Sequence, residues 1–467
     1  MWLSLINAAI FAAVAAARAS YATAGSSSNA AAAPPLPSLG CGTTVREPTG
    51  ALNHHTMPVE DPLLFNKFRD YYVFVPEGTD NTKPLPVVYS FHGFYSSATH
   101  MASADNLINK SRSEAAANRT GFIVVYGQGM ADCGKVNCYG DGTWPERSWN
   151  TWGQSESPGP RGHTCNQNRA RWGRYSCYES CRVRNHDRGP SACFRNTSLD
   201  KPGYDHCHAS TCANDTLYTE RMMSEVEGAL CIDKRRQYVT GMSVGGMMAY
   251  WLAVHFTHRF AAAAPIAGSA LVGFWKEPAL DIALMDVHGV LDTTIPANYS
   301  NGVKQAGQAA PLRVPGCDDC GFSDDGFYYT PNHNITAGVA RVNRCSCAGA
   351  GGAAPENSLS ASGCPVEAWP TSKDGSDIGK AAAWTCFQSF GSSCSATAPV
   401  VRCTWEGAHL LPGRGNYGPS GAGYMIPIAE KNNFFAEVVW EFFAKFAIAE
   451  GSEKERRLLL EAGEEER

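Results

Sequence analysis

The chain has 467 residues, 44% of them hydrophobic, and a formal net charge of -5. That size and composition support a large packed core and exclude a disordered chain. A modest negative charge, with no run of Lys and Arg, offers no phosphate-binding face, so nucleic acid is not expected as a partner and the ligand belongs in a pocket.

The chain opens on an apolar run from Leu5 to Ala17, followed by small-residue cleavage patterns at Ala17-Arg18-Ala19 and Ala22-Thr23-Ala24. Residues 1–24 therefore read as a secretory signal peptide. The rival, a membrane anchor, needs about 20 apolar residues and the run is shorter, so no span is expected once the signal is removed. Residues 25–40, rich in Ser, Ala and Pro, read as a flexible lead-in.

Short apolar runs bounded by turn residues follow: Tyr71 to Val75, Val87 to Phe91, Phe122 to Tyr126, Tyr238 to Thr240, Phe260 to Ile266, Leu284 to Val287 and Val400 to Thr404. Such runs are typical of buried parallel strands. Helical spacing between them, over Thr216 to Leu230 and Met247 to Phe256, argues for an α/β fold with helices on both faces of a mostly parallel sheet. Residues 41–449 read as one domain. Two cysteine-rich segments, about 131–213 and 316–395, interrupt the alternation as stapled insertions. Phe434, Phe435, Val438, Val439, Phe442, Phe443 and Phe446 form one helical stripe, expected to dock on the sheet rather than on a membrane surface. Residues 450–467 are charged and expected to be solvated.

Eighteen cysteines, nine of them from Cys133 to Cys231 and eight from Cys317 to Cys403, point to disulfides and an oxidising compartment. Zinc is the rival at Cys317-Asp318-Asp319-Cys320 and Cys345-Ser346-Cys347, but no second CxxC or His pair completes a four-ligand set, so no metal is expected. Sequons at Asn109, Asn118, Asn196, Asn214, Asn298 and Asn334 fit the same secreted route. Disulfide connectivity and oligomeric state are open at this point.

The segment Gly241-Met242-Ser243-Val244-Gly245-Gly246 is a GxSxG motif between an expected strand and an expected helix. A serine hydroxyl becomes nucleophilic only when a base takes its proton and an acid orients that base. The expected order is serine, acid, histidine, each on a loop after a later strand. Asp292 follows the strand ending at Val287, whereas the rivals Asp281 and Asp286 lie before or inside that strand. His409 follows the last strand; the alternatives His288 and His92 follow other strands. Charge developing on a substrate oxygen needs two backbone N–H donors. Val244, after the serine, is the first, and Phe94 in Ser90-Phe91-His92-Gly93-Phe94 is the expected second.

Gly241 to Tyr250, Phe260 to Ser269, the His-Gly-X-X-Asp-X-X-Ile-Pro segment ending at Pro296, and Trp405 to Gly413, together with Cys231-Ile232-Asp233, resemble the polyhydroxybutyrate depolymerase and feruloyl esterase group of α/β-hydrolases, similar to carbohydrate esterase family 1. The likeness covers most of Tyr71 to Phe446. It implies an α/β-hydrolase fold and a secreted serine esterase needing no metal or organic cofactor. It also implies an ester substrate of hydroxycinnamoyl-polysaccharide or polyhydroxyalkanoate type. Met242 and Leu410 stand where tannase-like relatives carry a disulfide. An amidase or peptidase of the same fold, and a catalytically silent binding protein, are the alternatives.

Overall fold

The computed structural model describes residues 33–45, 47–61, 68–117, 119–131, 147–152, 213–290, 292–297, 321–323, 327–345, 367–368, 384–389, 394, 397–405, 408–412 and 435–465. The expected signal peptide, the sequons at Asn118, Asn196 and Asn298, most of the first cysteine-rich segment and the pair Cys317 and Cys320 lie outside them.

In chain order the elements are β1 (Leu52–Pro58), β2 (Phe68–Phe74), β3 (Leu85–Phe91), α1 (Ala98–Ala104), α2 (Leu107–Ala116), β4 (Ile123–Gly127), β5 (Met130–Ala131), β6 (Arg147–Ser148), α3 (Asp215–Ala229), β7 (Ile232–Met242), α4 (Val244–His255), β8 (Ala262–Ile266) and β9 (Ala283–Gly289). Then come β10 (Gly321–Phe322), β11 (Tyr328–Tyr329), α5 (Asn332–Val342), β12 (Glu367–Ala368), β13 (Trp384–Ser389), β14 (Val400–Trp405), α6 (Phe435–Phe443) and α7 (Glu453–Glu465). Ten strands make one sheet in the order β1-β2-β4-β3-β7-β8-β9-β14-β13-β12. Its centre, β4 to β14, is parallel, while β1, β2, β13 and β12 pair antiparallel at the two edges. This is an α/β-hydrolase fold, with every expected apolar run forming a strand of the sheet.

Successive residues of a strand face opposite sides, and the core divides accordingly. Val87, Tyr89 and Phe91 pack with α3, α4 and α5 through Met222, Val226, Leu252 and Ile335. On the other face Val88, Tyr238 and Met242 pack with α1, α2 and α6 through Met101, Leu107, Val439 and Phe443. The apolar stripe of α6 is buried against the sheet, where Trp440 stacks on Phe122 at 3.9 Å and Phe443 on Tyr238 at 4.8 Å. Phe434 lies outside the described residues.

The structure differs from expectation in four places. β1 was not expected, because Leu-Asn-His-His-Thr-Met-Pro has no apolar run; as an edge strand it pairs with β2 and stacks His54 on Tyr72 and His55 on Tyr71. The end of the lead-in is not loose: Pro37 bridges to Asp233, and Cys41 is joined to Cys231. The second cysteine-rich segment contributes to the fold itself, since α5 buries Ile335 and Val339 and β13 extends the sheet, tied to β14 by Cys386–Cys403. A third disulfide joins Cys345 to Cys394. Finally, the charged end is not simply solvated: α7 buries Lys454, Glu455 and Leu458, and Glu455 pairs with Arg235.

Candidate active site

β7 ends at Met242 and the chain turns at once into α4. Ser243 holds the corner at φ 61° and ψ -124°, a conformation that L-residues rarely adopt and that its surroundings must impose. Its N–H donates to the Ile266 carbonyl on β8 at 2.9 Å, and its carbonyl accepts from Met247 N–H at 2.9 Å. The corner closes because two neighbours lack side chains. A Cβ on Gly245 would overlap the carbonyl oxygens of Phe91 and His92, and one on Gly93 would stand 3.1 Å from the Ser243 Cβ. The loop after β3 and the Ser243 turn are therefore in backbone contact, with the first turn of α4 directly behind the serine.

Asp292 and His409 follow β9 and β14, neighbours in the parallel sheet. His409 lies between the other two side chains. Ser243 Oγ–H donates to His409 Nε2 at 2.7 Å, and His409 Nδ1–H donates to Asp292 Oδ2 at 2.8 Å. The other carboxylate oxygen of Asp292 accepts the N–H groups of Thr294 and Ile295, both at 2.9 Å. Burial alone would raise this carboxyl, but the adjacent imidazoles of His409 and His288 outweigh it and hold it well below the usual carboxylate range. Ser243 is 8% exposed and the His409 side chain 17%, so the group is sheltered but reachable.

Phe94 lies where the β3 loop passes Ser243. The carbonyl of the Gly93–Phe94 peptide accepts from His92 Nδ1–H at 2.7 Å and from Ser96 N–H at 3.3 Å. A planar trans peptide directs its N–H opposite to its carbonyl, so the Phe94 N–H points away from His92. His92 itself is fully occupied: its Nε2 accepts Gly129 N–H at 2.9 Å, and burial pushes the imidazole down to about 3, which leaves it neutral. Its own carbonyl accepts the Trp149 indole N–H at 2.8 Å. Trp152 donates to the Met247 carbonyl on α4 at 2.9 Å. Two indoles from 147–152 thus fasten both the β3 loop and the helix behind Ser243.

Of the rivals, Asp286 points into the core, where its carboxylate accepts Tyr250 O–H at 2.7 Å and Asn332 Nδ2–H at 2.8 Å. Asp281 precedes β9, and the carboxylate that His409 holds is that of Asp292. His288 is buried behind Asp292 and His92 beneath the β3 loop, so neither takes the place of His409. Sequence reasoning missed Trp149 and Trp152, because they lie in a segment with no periodicity to mark them. It met His288 only as a competing base. No group of three or more His, Cys, Asp or Glu that could hold a metal occurs among the described residues.

No family model matches the chain. Among curated proteins it is 29% identical over 130 residues to "Probable feruloyl esterase C" of Aspergillus niger, covering 26% of this chain and 46% of the relative. It is 32% identical over 90 residues to feruloyl esterase C of Emericella nidulans, covering 19% and 32%. The chain thus spans less than half the length of the curated relatives it matches. Among solved structures, a CE1 ferulic acid esterase from Anaeromyces mucronatus is 14% identical, covering 56% of this chain and 82% of that one with a TM-score of 0.32. By sequence, this chain is similar to the feruloyl esterase group that its motifs resemble.

Proposed function

We propose that the protein is a secreted serine esterase that hydrolyses carboxylic esters through an acyl-enzyme, with hydroxycinnamoyl esters as its substrates. The observation that carries this reading is the hydrogen-bonded chain from Ser243 Oγ through His409 to Asp292. Ser243 Oγ attacks the ester carbonyl while its proton passes to His409 Nε2; His409 then gives that proton to the departing alcohol. Water repeats the sequence on the acyl-enzyme and releases the acid. Asp292 keeps the imidazole in the tautomer that presents Nε2 to the serine and balances the imidazolium that forms. The N–H groups of Val244, at the N-terminus of α4, and Phe94 receive the developing oxyanion.

The hydroxycinnamoyl assignment is supported by relatives named feruloyl esterase and by the motif likeness around the three side chains. The secreted route is supported by three disulfides among the described residues and by the apolar N-terminal run. Replacing Ser243 with Ala is expected to lower release of p-nitrophenol from short acyl esters by about 10⁴-fold or more. A variant that keeps more than about a tenth of the activity sinks the assignment. A substrate panel tests the specificity: methyl ferulate should be cleaved, and a preparation that releases soluble products from polyhydroxybutyrate while leaving methyl ferulate intact contradicts it.

A further inference from the structure

The second oxyanion donor, the Phe94 N–H, is a backbone group, so its place is set by the conformation of the loop that carries it. That loop is strained. Tyr95, next to Phe94, takes φ 61°, in the left-handed region where a bulky side chain persists only if its surroundings impose it. Tyr95 is the third residue of the turn that Ser96 N–H closes on the Gly93 carbonyl at 3.3 Å, a place where a positive φ favours glycine. Left to itself, this turn would relax and carry the Phe94 peptide with it.

Segment 147–152 grips the loop on both sides of Phe94. The Arg147 carbonyl accepts Tyr95 N–H at 3.1 Å, one residue after Phe94, and Trp149 Nε1–H donates to the His92 carbonyl at 2.8 Å, two residues before it. The fully buried Trp149 ring meets Phe91 edge-on at 5.1 Å and His92 at 5.0 Å, so it can neither swing away nor be replaced by water. The segment is itself anchored in the core. Asn150 N–H donates to Asp215 Oδ2 at 2.6 Å, and Asn150 Nδ2–H to the Ala213 carbonyl at 3.1 Å. The other carboxylate oxygen of Asp215 accepts from Arg69 Nη2 at 2.7 Å, and the Arg69 guanidinium lies over the Tyr218 ring at 3.9 Å. Arg69 and Asp215 are each 1% exposed, and a charge-assisted pair of this kind is stiff.

We propose that segment 147–152, which the first cysteine-rich segment contributes, is a brace for the oxyanion loop, and that Trp149 is its positioning residue. The Trp149 bond to the His92 carbonyl and the Arg147 bond to Tyr95 hold the strained turn so that the Phe94 N–H stays where the oxyanion forms. The proposal rests on the reading of Ser243, His409 and Phe94 given above. Its physical content is preorganisation: a donor already in place stabilises the developing charge without a reorganisation cost, and a displacement of about 1 Å is enough to forfeit much of that effect.

The test compares p-nitrophenyl acetate hydrolysis, and inhibition by an alkyl trifluoromethyl ketone, in the wild-type protein, Trp149→Phe and Trp251→Phe. Addition of Ser243 Oγ to that ketone moves the carbonyl electron pair onto oxygen and the serine proton to His409, so the adduct presents an oxyanion to the Phe94 N–H. Trp149→Phe keeps an aromatic ring and loses the N–H. Its kcat is expected to fall about 10- to 100-fold with KM within about twofold, and its inhibition constant for the ketone to rise by a similar factor. Trp251→Phe is the control: it removes an indole N–H that donates to Thr216 Oγ1 at 2.8 Å, in the second half of α4, and should leave all three values unchanged. Wild-type values in Trp149→Phe, a loss carried by KM, a loss of kcat without the matching loss of ketone affinity, or equal losses in both variants each overturn the proposal. If Trp149→Phe does not fold, 3-benzothienylalanine installed at position 149 keeps the bicyclic shape without the N–H, and the same outcomes decide. Ser243→Ala separates the two levels, since its retained activity refutes the underlying reading, whereas an inactive Ser243→Ala beside an undiminished Trp149→Phe refutes this inference alone.

Discussion

Ser243 is held in a strained conformation by contacts that leave no room for larger neighbours. Gly245 illustrates the tolerance: a methyl group there would run into two backbone carbonyls of the β3 loop, neither of which can swing aside as a side chain can. Gly245→Ala is therefore expected to cost about 2–3 kcal/mol in urea unfolding and to suppress ester hydrolysis, because relief must move the loop carrying Phe94. His92 makes a second prediction. A histidine in the unfolded chain takes a proton below about pH 6.5, whereas buried His92 resists it until about 3. Its contribution is thus fully present above pH 6.5 and lost as pH falls through that window. The urea midpoint of the wild-type protein should drop on acidification from pH 7 to pH 4, and His92→Gln should show a shallower drop. Equal slopes for the two proteins would contradict the neutral, buried imidazole.

At the scale of elements, α7 shows how composition can mislead. Its residues are mostly charged, yet Glu455 pairs with Arg235 at the start of β7, Lys454 donates to the Phe260 carbonyl at 2.9 Å, and Leu458 is fully buried. Glu455→Ala would leave Arg235, whose side chain is 6% exposed, without its carboxylate. A loss of about 2–4 kcal/mol and a lowered Tm are expected. Arg457→Ala is the control: its pair with Glu453 is exposed on the same helix, and its removal should cost less than about 0.5 kcal/mol. Comparable losses for both would mean that α7 is not clasped through Arg235. The same lesson applies to β1. Its pairing partner supplies the stacking and hydrogen bonds that its own sequence does not advertise, since an edge strand needs only one buried face.

For the whole molecule, two of the described disulfides act at very different ranges along the chain. Cys41–Cys231 spans 190 residues and joins the start of the described fold to β7, while Cys386–Cys403 spans 17 and locks β13 against β14. Loop-closure entropy makes the longer link worth about 5 kcal/mol and the shorter about 3. The paired replacement of Cys41 and Cys231 by Ser should therefore lower the unfolding free energy more than that of Cys386 and Cys403. Thermal unfolding of both variants beside the wild type under oxidising conditions measures the difference, and an equal or reversed order would place the stabilisation in local packing instead. Among the described residues no helix is long and apolar enough to cross a membrane.

Much of this organisation was legible before any coordinates. The apolar runs that form β3, β4, β7, β8, β9 and β14 are buried on both faces, so their sequences can be continuous and recognisable. The GxSxG turn is equally visible, because only small residues fit a strained corner between a strand and a helix. His409 was preferred over His92 and His288 only for its place after the last strand, since all three lie at or near strand ends. The tertiary structure brings His409 to Ser243 and Asp292, since β14 lies next to β9 in space though more than a hundred residues away in the chain. It likewise buries His288 behind Asp292, bonded to the Ile295 carbonyl and away from Ser243. Charge balance inside a core depends on which side chains are brought together, and neither spacing nor composition carries that information.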